Sequence, residues 1–237
     1  MIMMCCLLST VSVKADPFEK DTFTARDGKK LEITFIKHAS LMLEYDGHII
    51  QVDPISEYAD YAKFPKADVI LITHEHYDHL DPKAIAASEK EGTVIVSNLS
   101  SYEKIQKGIV MKNGDKRQLT PYLFIEAVPA YNTTPGRDKF HPKGRDNGYV
   151  LTLGGTRIYI AGDTEDIPEM KNLEAIDIAF LPVNQPYTMT VSQAVKAAER
   201  INPKILYPYH YGETPVRELQ DQLKNQSSIE VRIRQMQ

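Results

Sequence analysis

Apolar and polar residues alternate over many short stretches of the chain, with the two-residue period of β-strands. Residues 41–45 and 48–52 follow this pattern and are joined by Asp46-Gly47, a dipeptide that favours a tight hairpin turn. The unbroken apolar run at residues 69–72 is typical of a strand buried on both faces of a parallel sheet. The same criteria predict further strands at residues 31–36, 93–97, 123–128, 149–153, 157–160, 178–181, 205–207 and 229–233.

Four stretches carry the signals of α-helices. One is predicted to begin at about Pro82, because Asp81 can cap its first turn and proline is favoured at the first helical position. The others are predicted at residues 100–106, 191–201 and 216–223. Strand-rich halves that are each followed by helices predict an α/β fold of two packed sheets with helices outside, a four-layer αββα sandwich.

The composition fits one ordinary globular domain. The chain has 237 residues, 42% of them hydrophobic and 25% charged, and its sequence contains no repeat or linker that would separate domains. A net charge of −4 indicates no basic surface for a nucleic acid, and no apolar run reaches the length of a membrane span. We therefore expect one domain over residues 16–237 with a small molecule as its partner. The oligomeric state stays open.

The first residues differ in character from the rest. Residues 1–13 are apolar, and Val13-Lys14-Ala15 before Asp16 resembles a small-x-small cleavage site. Residues 1–15 therefore predict a secretory signal peptide and export to the periplasm or the extracellular space. The alternative is a frayed or buried segment of a cytoplasmic protein, since the first positions lack basic residues. Both cysteines lie in this segment, so the remainder has no thiolate metal ligands.

One hexapeptide carries most of the candidate chemistry. Residues 74–79 read His-Glu-His-Tyr-Asp-His and directly follow the predicted strand at residues 69–72. The carboxyl end of a parallel strand is where open α/β sheets bind ligands. Side chains two positions apart point the same way from an extended backbone, so His74 and His76 can share a ligand. Because neutral imidazole and carboxylate bind zinc and similar ions, the hexapeptide predicts a metal site, with Asp78 and His79 available to a second cation.

The spacing His-x-His-x-Asp-His resembles the signature of the metallo-β-lactamase superfamily. From about Leu31 onward, the chain is similar to the branch of stand-alone metal-dependent hydrolases related to ascorbate-6-phosphate lactonase. The resemblance implies the αββα fold and two divalent metals, Zn²⁺ first, with Mn²⁺ or Fe²⁺ as alternatives. It also implies that a hydroxide shared between the cations is the nucleophile.

Two later residues match ligand positions of this family. Asp163 follows the predicted strand at residues 157–160, where the family has an aspartate that bridges two metals. His210 ends another predicted strand and matches the final ligand. Without the resemblance, a turn aspartate and a packing histidine would be the simpler interpretations. The implied ligands are His74, His76 and Asp163 for the first metal, and Asp78, His79, Asp163 and His210 for the second. Asp78 or Asp163 would relay a proton to the leaving group.

The chain departs from the family at one ligand of the first metal. Relatives usually have another histidine after the strand at residues 123–128, where this chain has Asn132. An amide oxygen is a poorer donor, so we expect a weak first site or one that prefers harder ions such as Mn²⁺. His141 could replace the missing ligand or contact the substrate. The alternative is that His141 is an exposed loop residue.

Other polar residues are expected to support or surround the metals. Asp53 matches an early family aspartate and is predicted to orient a ligating ring, although a turn carboxylate is the alternative. His38 is expected either to line the pocket or to form structural hydrogen bonds. The loop over residues 135–146 contributes cations that would suit an anionic substrate, unless they are simply solvated. These cations are Arg137, Lys139, Lys143 and Arg145.

The sequence therefore predicts a hydrolase that attacks an ester, lactone or phosphodiester bond of a small anionic substrate with a metal-bound hydroxide. One alternative is a nuclease of the same fold, which would need a basic surface stripe. The other is a metal-binding or ligand-sensing protein with weakened catalysis, which the substitution at Asn132 favours.

Overall fold

A computed structural model describes residues 18–237, so the signal peptide predicted at residues 1–15 lies outside the described residues. Within this range the chain forms fourteen β-strands and four α-helices. The strands are β1 (Glu19–Thr24), β2 (Lys30–Lys37), β3 (Ser40–Tyr45), β4 (His48–Val52), β5 (Val69–Leu71), β6 (Val94–Ser97), β7 (Ile109–Val110), β8 (Lys116–Thr120), β9 (Leu123–Ala130), β10 (Asp146–Leu153), β11 (Thr156–Ile160), β12 (Ile178–Pro182), β13 (Ile205–Tyr209) and β14 (Glu230–Val231). The helices are α1 (Pro82–Ser88), α2 (Leu99–Ile105), α3 (Val191–Ile201) and α4 (Arg217–Leu223), with short 3-10 helices at Tyr61–Lys63 and Pro168–Asn172.

The strands of the described range form two seven-stranded sheets that follow the same plan. In the first sheet, β1 to β4 are antiparallel neighbours and β4 to β7 are parallel neighbours. In the second sheet, β8 to β11 are antiparallel and β11 to β14 are parallel. Each half of the chain therefore supplies one sheet.

The two sheets pack against each other through alternate residues of their strands. Ile33 and Phe35 of β2 are buried in a core to which both sheets contribute. The ring of Phe35 lies 4.9 Å from that of Tyr207 on β13 and 6.2 Å from that of Phe180 on β12. Complete burial of one such apolar side chain contributes about 1.5–3 kcal/mol, so this interface is a main source of stability.

Helices cover the outer faces of both sheets. On the first sheet, Ile85 of α1 packs with Ile70 of β5 in a separate apolar cluster. On the second sheet, α3 begins with a capping box between Thr190 and Gln193 and buries Ala197 in the main core. The layers α, β, β and α confirm the predicted αββα sandwich. Among the described residues, no helix is long and apolar enough to cross a membrane.

Sequence criteria miss three strands, and all three lie at sheet edges. β1 and β7 are the two edges of the first sheet, and β8 is an edge of the second. The first residues of β8 are Lys116, Arg117 and Gln118, which are exposed. An edge strand needs little apolar burial, and its charged side chains prevent pairing with other chains.

The carboxyl ends of several strands meet at one edge of the sandwich. Tyr149 Oη on β10 donates to the carbonyl of Ile72 at 2.9 Å, which ties the end of β5 to the second sheet. The backbone N–H of Asn147 donates to the carbonyl of Thr73 at 3.1 Å. These two bonds hold the loop that follows β5 against β10 of the second sheet.

Candidate metal centre

Six of the chain's seven histidines lie at this edge, together with two aspartates. Most come from loops that directly follow strands: residues 74–79 follow β5, Asp163 follows β11 and His210 follows β13. The seventh, His48, stacks on Tyr122 instead, with ring centroids 3.7 Å apart. The strand-end residues that the sequence singled out are therefore neighbours in space.

Three imidazoles form a first ligand group, which consists of His74, His76 and His141. One nitrogen of each ring lies within 4.8 Å of the others, a spacing that a single cation can bridge. Nδ1 of His76 is 3.0 Å from Nε2 of His74 and 3.3 Å from Nε2 of His141. His141 comes from the loop between β9 and β10.

Four residues form a second ligand group, which consists of His38, Asp78, His79 and His210. Oδ2 of Asp78 lies 3.1 Å from Nε2 of His38 and 3.6 Å from Nε2 of His210. Its distance to Nε2 of His79 is 4.0 Å. His38 therefore lies directly among the possible metal ligands. Its ring centroid is 3.7 Å from that of His210.

Asp163 lies between the two groups and faces both. Its Oδ1 is 3.4 Å from Nε2 of His79, and its Oδ2 is 3.2 Å from Nε2 of His210. The same Oδ2 is 3.4 Å from Nε2 of His141 and 4.0 Å from Nε2 of His74. A carboxylate in this position is close enough to both groups for two cations to share it.

Gly162 allows the chain to deliver Asp163 to this position. Its φ is +65°, which L-residues with a side chain rarely adopt. A Cβ at Gly162 would lie only 2.8 Å from the carbonyl oxygen of Asn147. A larger residue would therefore push the loop away from β10 and displace the aspartate.

Asp53 supports one ring from each group, in the position expected for an orienting carboxylate. Its Oδ2 accepts from Nδ1 of His79 at 2.8 Å and from Oγ1 of Thr73 at 2.7 Å. Thr73 Oγ1 in turn lies 3.0 Å from Nδ1 of His74. Because these contacts engage Nδ1 of both rings, Nε2 remains available for a metal. Sequence reasoning missed Thr73, although its place directly before the hexapeptide was a usable signal.

The structure brings His141, rather than Asn132, into the first group. Asn132 Nδ2 donates to the carbonyls of Arg137 and Tyr187, at 3.2 and 2.7 Å, and its backbone N–H donates to the carbonyl of His141 at 2.9 Å. His141 Nδ1 lies 3.1 Å from the same Tyr187 carbonyl, so its Nε2 faces the group. Asn132 therefore positions the loop, and three imidazoles complete the group that was expected to be weak.

The donor set suits a bound cation. His79 Nε2, Asp163 Oδ1 and both ring nitrogens of His210 are buried without a hydrogen-bond partner among the described residues. Each unsatisfied buried polar group costs about 1–3 kcal/mol, so a cluster of them at one point is unfavourable without a ligand. Imidazole nitrogens and carboxylate oxygens at such spacing are the donors that divalent metals prefer.

Burial keeps the first group neutral. Burial lowers the pKa of His141 to about 4, and it lowers the pKa of His74 well below the ordinary value, with a further contribution from His79. The pKa of His76 is also lowered, by burial and by the nearby Arg145 guanidinium. Neutral imidazole is the form that binds metals, so this group is ready to do so at pH 7.

Carboxylates have the opposite effect in the second group. Burial opposes the charged form of His210, but Asp163 and Asp78 raise its pKa to about 9. Burial likewise opposes the charged form of His79, and its pKa is raised well above the ordinary value by Asp163 and Asp53. Burial would raise the pKa of Asp163, yet His210 and His79 hold it well below its usual range. Protons therefore compete with a cation for this group.

The four cations expected to attract an anionic substrate are engaged elsewhere. Arg145 pairs with Asp146 and Glu75, and Lys143 pairs with Glu169. Arg137 Nη1 lies 3.7 Å from buried Glu165, while Lys139 Nζ lies 5.1 Å from the Phe140 ring centroid. Three of the four cations therefore lie near carboxylates, while Lys139 lies against an aromatic ring.

A cavity of about 600 Å³ opens onto both groups. His76, His141, Asp163 and His210 are among the residues that line it. Lys104 is the one lysine or arginine among the described residues that line it. Nothing in the local sequence around Lys104 indicated this position, because α2 reaches the cavity only through the fold.

Comparison with known proteins agrees with this architecture. A family model for a beta-lactamase superfamily domain matches residues 32–210. The chain belongs to this superfamily, in its metal-dependent, metallo-β-lactamase form. Within it, the chain belongs with the UPF0173 metal-dependent hydrolases: it is 32% identical to one from Ligilactobacillus salivarius and 30% identical to one from Archaeoglobus fulgidus. The matches cover 78% of this chain and 87% and 85% of those proteins.

Solved structures show the same relationship. A protein from Parabacteroides distasonis, described as a metal-dependent hydrolase, is 68% identical over 93% of this chain and 100% of its own, with a TM-score of 0.91. Igni18, a metallo hydrolase from Ignicoccus hospitalis, is 25% identical over 87% of this chain and 95% of its own, with a TM-score of 0.72. The prediction of a stand-alone metal-dependent hydrolase of this superfamily is confirmed.

Proposed function

We propose that this metal-dependent hydrolase holds two divalent cations, one in each ligand group, and cleaves an ester, lactone or phosphodiester bond of a small molecule. The observation that carries the proposal is the position of Asp163, whose two oxygens face both groups at once. A carboxylate shared in this way suits a pair of cations a few ångströms apart. The proposed ligands are His74, His76, His141 and Asp163 for one cation, and Asp78, His79, His210 and Asp163 for the other.

Zn²⁺ is the cation we propose first, because imidazole nitrogens dominate both groups. Mn²⁺ and Fe²⁺ are the alternatives, since the second group adds a carboxylate that harder ions accept. His38 is assigned a supporting role. Its Nε2 lies 3.1 Å from Oδ2 of Asp78 and can donate to it, which orients that carboxylate toward the cation.

Two bound cations would lower the pKa of a shared water toward neutrality and polarise the bond that is cleaved. In ester hydrolysis, the water oxygen joins the acyl carbon, the acyl–oxygen bond breaks, and a proton must reach the leaving oxygen. Asp78 is the residue we assign to this transfer. Its side chain is 20% exposed and lines the cavity, whereas Asp163 is only 3% exposed. Burial would raise the pKa of Asp78, but His210 and His38 hold it well below its usual range, so Asp78 is an ionised carboxylate that would pass a proton on to the leaving oxygen and not retain it.

Neither alternative function gains support from the site. A nuclease would need many free cations beside the cavity, yet Lys104 is the one described lysine or arginine that lines it. The ligand-sensing hypothesis rested on Asn132 as a defective ligand. The position of His141 beside His74 and His76 supports a complete first group and therefore favours the hydrolase over the sensor.

Export also remains a prediction from the sequence. We propose that residues 1–15 are removed and that the mature domain, residues 16–237, acts in the periplasm or outside the cell. Amino-terminal sequencing of the protein from its natural source tests this. Export predicts a mature chain that begins at Asp16, and an intact chain in the cytoplasm would contradict it.

The function is tested by metal analysis combined with turnover of three substrate classes. We expect two equivalents of metal per chain and hydrolysis of at least one among 4-nitrophenyl acetate, δ-valerolactone and bis(4-nitrophenyl) phosphate. A chelator should abolish the activity, and added Zn²⁺ or Mn²⁺ should restore it. A fully metal-loaded protein that cleaves none of these bond classes would contradict the proposal.

The site is tested by comparing His76→Ala with His48→Ala. Because His76 belongs to the first group, we expect its replacement to abolish turnover and remove one metal equivalent while circular dichroism stays unchanged. His48 lies outside both groups, so its replacement should leave both measurements unchanged. Full turnover in His76→Ala would show that the metal centre is wrongly assigned.

A further inference from the structure

Three aromatic side chains line the mouth of the metal-site cavity. They are Tyr77, Phe140 and Tyr187, here called the aromatic wall. Tyr77 is 86% exposed and Tyr187 is 47% exposed. Aromatic rings are usually more buried than this, because their large apolar faces gain by leaving water. Rings left in water beside a reactive centre are candidates for contacts with a ligand.

The wall is attached to the ligand groups through the backbone. Tyr77 lies between His76 and Asp78, and Phe140 directly precedes His141. The carbonyl of Tyr187 contacts Nδ1 of His141 at 3.1 Å. The backbone of each wall residue is therefore close to the proposed metal ligands.

Phe140 and Tyr187 also support each other. Their ring centroids are 5.1 Å apart at an interplanar angle of 70°, the edge-to-face arrangement that aromatic pairs prefer. This pair and Tyr77 are contributed by different loops, yet they line one cavity. A flat group that enters the cavity thus has aromatic surfaces available for contact beside the scissile bond.

The charged side chains around the cavity also favour an aromatic ligand over a charged one. Arg137, Lys143 and Arg145 are close to carboxylates, as described above. Lys104 Nζ donates to the carbonyl of Glu75 at 2.8 Å, which ties it to the rim. Three aromatic rings and one lysine thus line the cavity, and Lys139 Nζ lies 5.1 Å from the centroid of the Phe140 ring.

We propose that the aromatic wall selects substrates that carry an aromatic ring next to the cleaved bond, such as aryl esters and ring-fused lactones. This inference rests on the proposed function, since it names the substrate class of the same site. Stacking on Tyr77 and contact with Tyr187 would hold the ring while the bond to be cleaved reaches the two cations. These residues determine specificity and take no part in the bond cleavage itself.

The test compares two lactones, dihydrocoumarin and δ-valerolactone, of which only the first carries a fused aromatic ring. Proton release measured with a pH indicator reports hydrolysis of both. For Tyr77→Ala and for Tyr187→Ala, we expect kcat/KM for dihydrocoumarin to fall about tenfold, mainly through KM, because contacts with the wall hold the ring. The value for δ-valerolactone should stay within about twofold. The ratio of variant to wild type removes the difference in intrinsic reactivity between the lactones.

Leu99→Ala is the matched control. Leu99 is also an exposed apolar side chain, at 59%, but it does not line the cavity. Its replacement should leave kcat/KM unchanged for both lactones. Equal losses for both lactones in the tyrosine variants would overturn the proposal, because they would indicate a general structural effect. No loss for either lactone would overturn it as well.

A binding measurement separates failure of this inference from failure of the proposed function. Phenylphosphonate and methylphosphonate present the same metal-binding group and differ in the ring. Calorimetry on the metal-loaded wild type should show about tenfold tighter binding of phenylphosphonate, and Tyr77→Ala should lose this preference. If the protein cleaves no lactone but keeps this preference, the proposed bond class is wrong, and the proposed binding of aromatic rings by the aromatic wall is supported. Equal affinities of the wild type for the two phosphonates would refute the proposal that the aromatic wall selects aromatic substrates.

Discussion

The two ligand groups of the metal centre differ in how their rings are held. In the second group, Asp53 accepts from Nδ1 of His79, and Asp78 lies within 3.6 Å of Nε2 of His210. In the first group, His141 relies on a backbone carbonyl, and Nε2 of His76 faces the Arg145 guanidinium at 3.3 Å. The second group is therefore rich in negative charge, whereas the first consists of neutral rings next to a cation. Identical metals would be bound with different strength.

This difference indicates a division of labour. Negative charge stabilises a bound cation strongly, so we expect the second group to retain its metal through purification. The first group, with three imidazoles and one shared carboxylate, should exchange its metal more readily. Among residues 18–237, Asp163 is the one residue whose oxygens face ligand nitrogens of both groups.

Replacing Asp163 should erase the distinction between the groups and give the largest effect. Asp163→Ala removes an oxygen ligand from both proposed cations, so we expect metal content to fall below one equivalent and kcat/KM to fall about a thousandfold or more. Elemental analysis and turnover of the best substrate measure this. Asp138→Ala is the control, because Asp138 is an exposed loop aspartate. Two retained metals in Asp163→Ala would show that the groups do not share this ligand.

Replacing His141 should affect the first group alone. His141→Ala leaves two imidazoles there, so we expect the loss of one metal equivalent and about a hundredfold lower kcat. The second equivalent should stay bound. If His141→Ala keeps both metals, His141 is not a ligand. The expectation of a weak first site, based on Asn132 in place of the usual histidine, would then stand.

The placement of His141 also shows where sequence reasoning ends. The strand-end ligands could be predicted, because a buried parallel strand followed by histidine or aspartate fixes both the fold position and the chemistry. His141 lies in a loop without regular structure, and its place depends on contacts with Asn132 and Tyr187, residues far apart in the chain. No local pattern encodes such contacts, so the sequence could only offer alternatives.

For the fold as well, the sequence predicts the elements that have local signals and not those that depend on long-range contacts. The hairpin at Asp46-Gly47 and the helix Val191–Ile201 were predictable, because turn chemistry and helical periodicity are local signals. The edge strands β1, β7 and β8 were not, because they bury few side chains and their pairing is decided by the rest of the sheet. The position of Lys104 could not be predicted either, because only the assembled fold brings α2 to the cavity.

Replacing Asp53 should weaken the second group without removing a ligand. Asp53→Asn keeps the shape of the side chain and tolerates the positive φ of 42°, but its neutral amide no longer stabilises the His79 ring. We expect about a ten- to hundredfold loss of metal affinity at the second group, measured by competition with a chromogenic chelator. Asp68→Asn is the control, because Asp68 accepts from the backbone N–H of Ile49 and touches neither group. An unchanged affinity in Asp53→Asn would mean that the contact between Asp53 and His79 adds nothing.

Proton release on metal binding should separate the groups most finely. In the metal-free protein the pKa of His210 is raised to about 9, so this ring holds a proton at pH 7, and the pKa of His79 is also raised well above the ordinary value. The pKa values of His74, His76 and His141 lie below the ordinary value, the last at about 4. Loading the second group should therefore displace at least about one proton, and loading the first should displace almost none.

The sign of the pH dependence follows from these directions. As pH falls below about 9, His210 takes up a proton, and the apparent metal affinity of the second group should drop by at least about tenfold per pH unit. The affinity of the first group should stay constant until pH approaches about 4, where His141 becomes protonated. Each group is isolated by removing the other, with His141→Ala and His210→Ala, and protons are counted by calorimetry in buffers of different ionisation enthalpy. Equal proton release from the two variants would contradict the distinction, because the carboxylates would then give the second group no special affinity for protons or for metal.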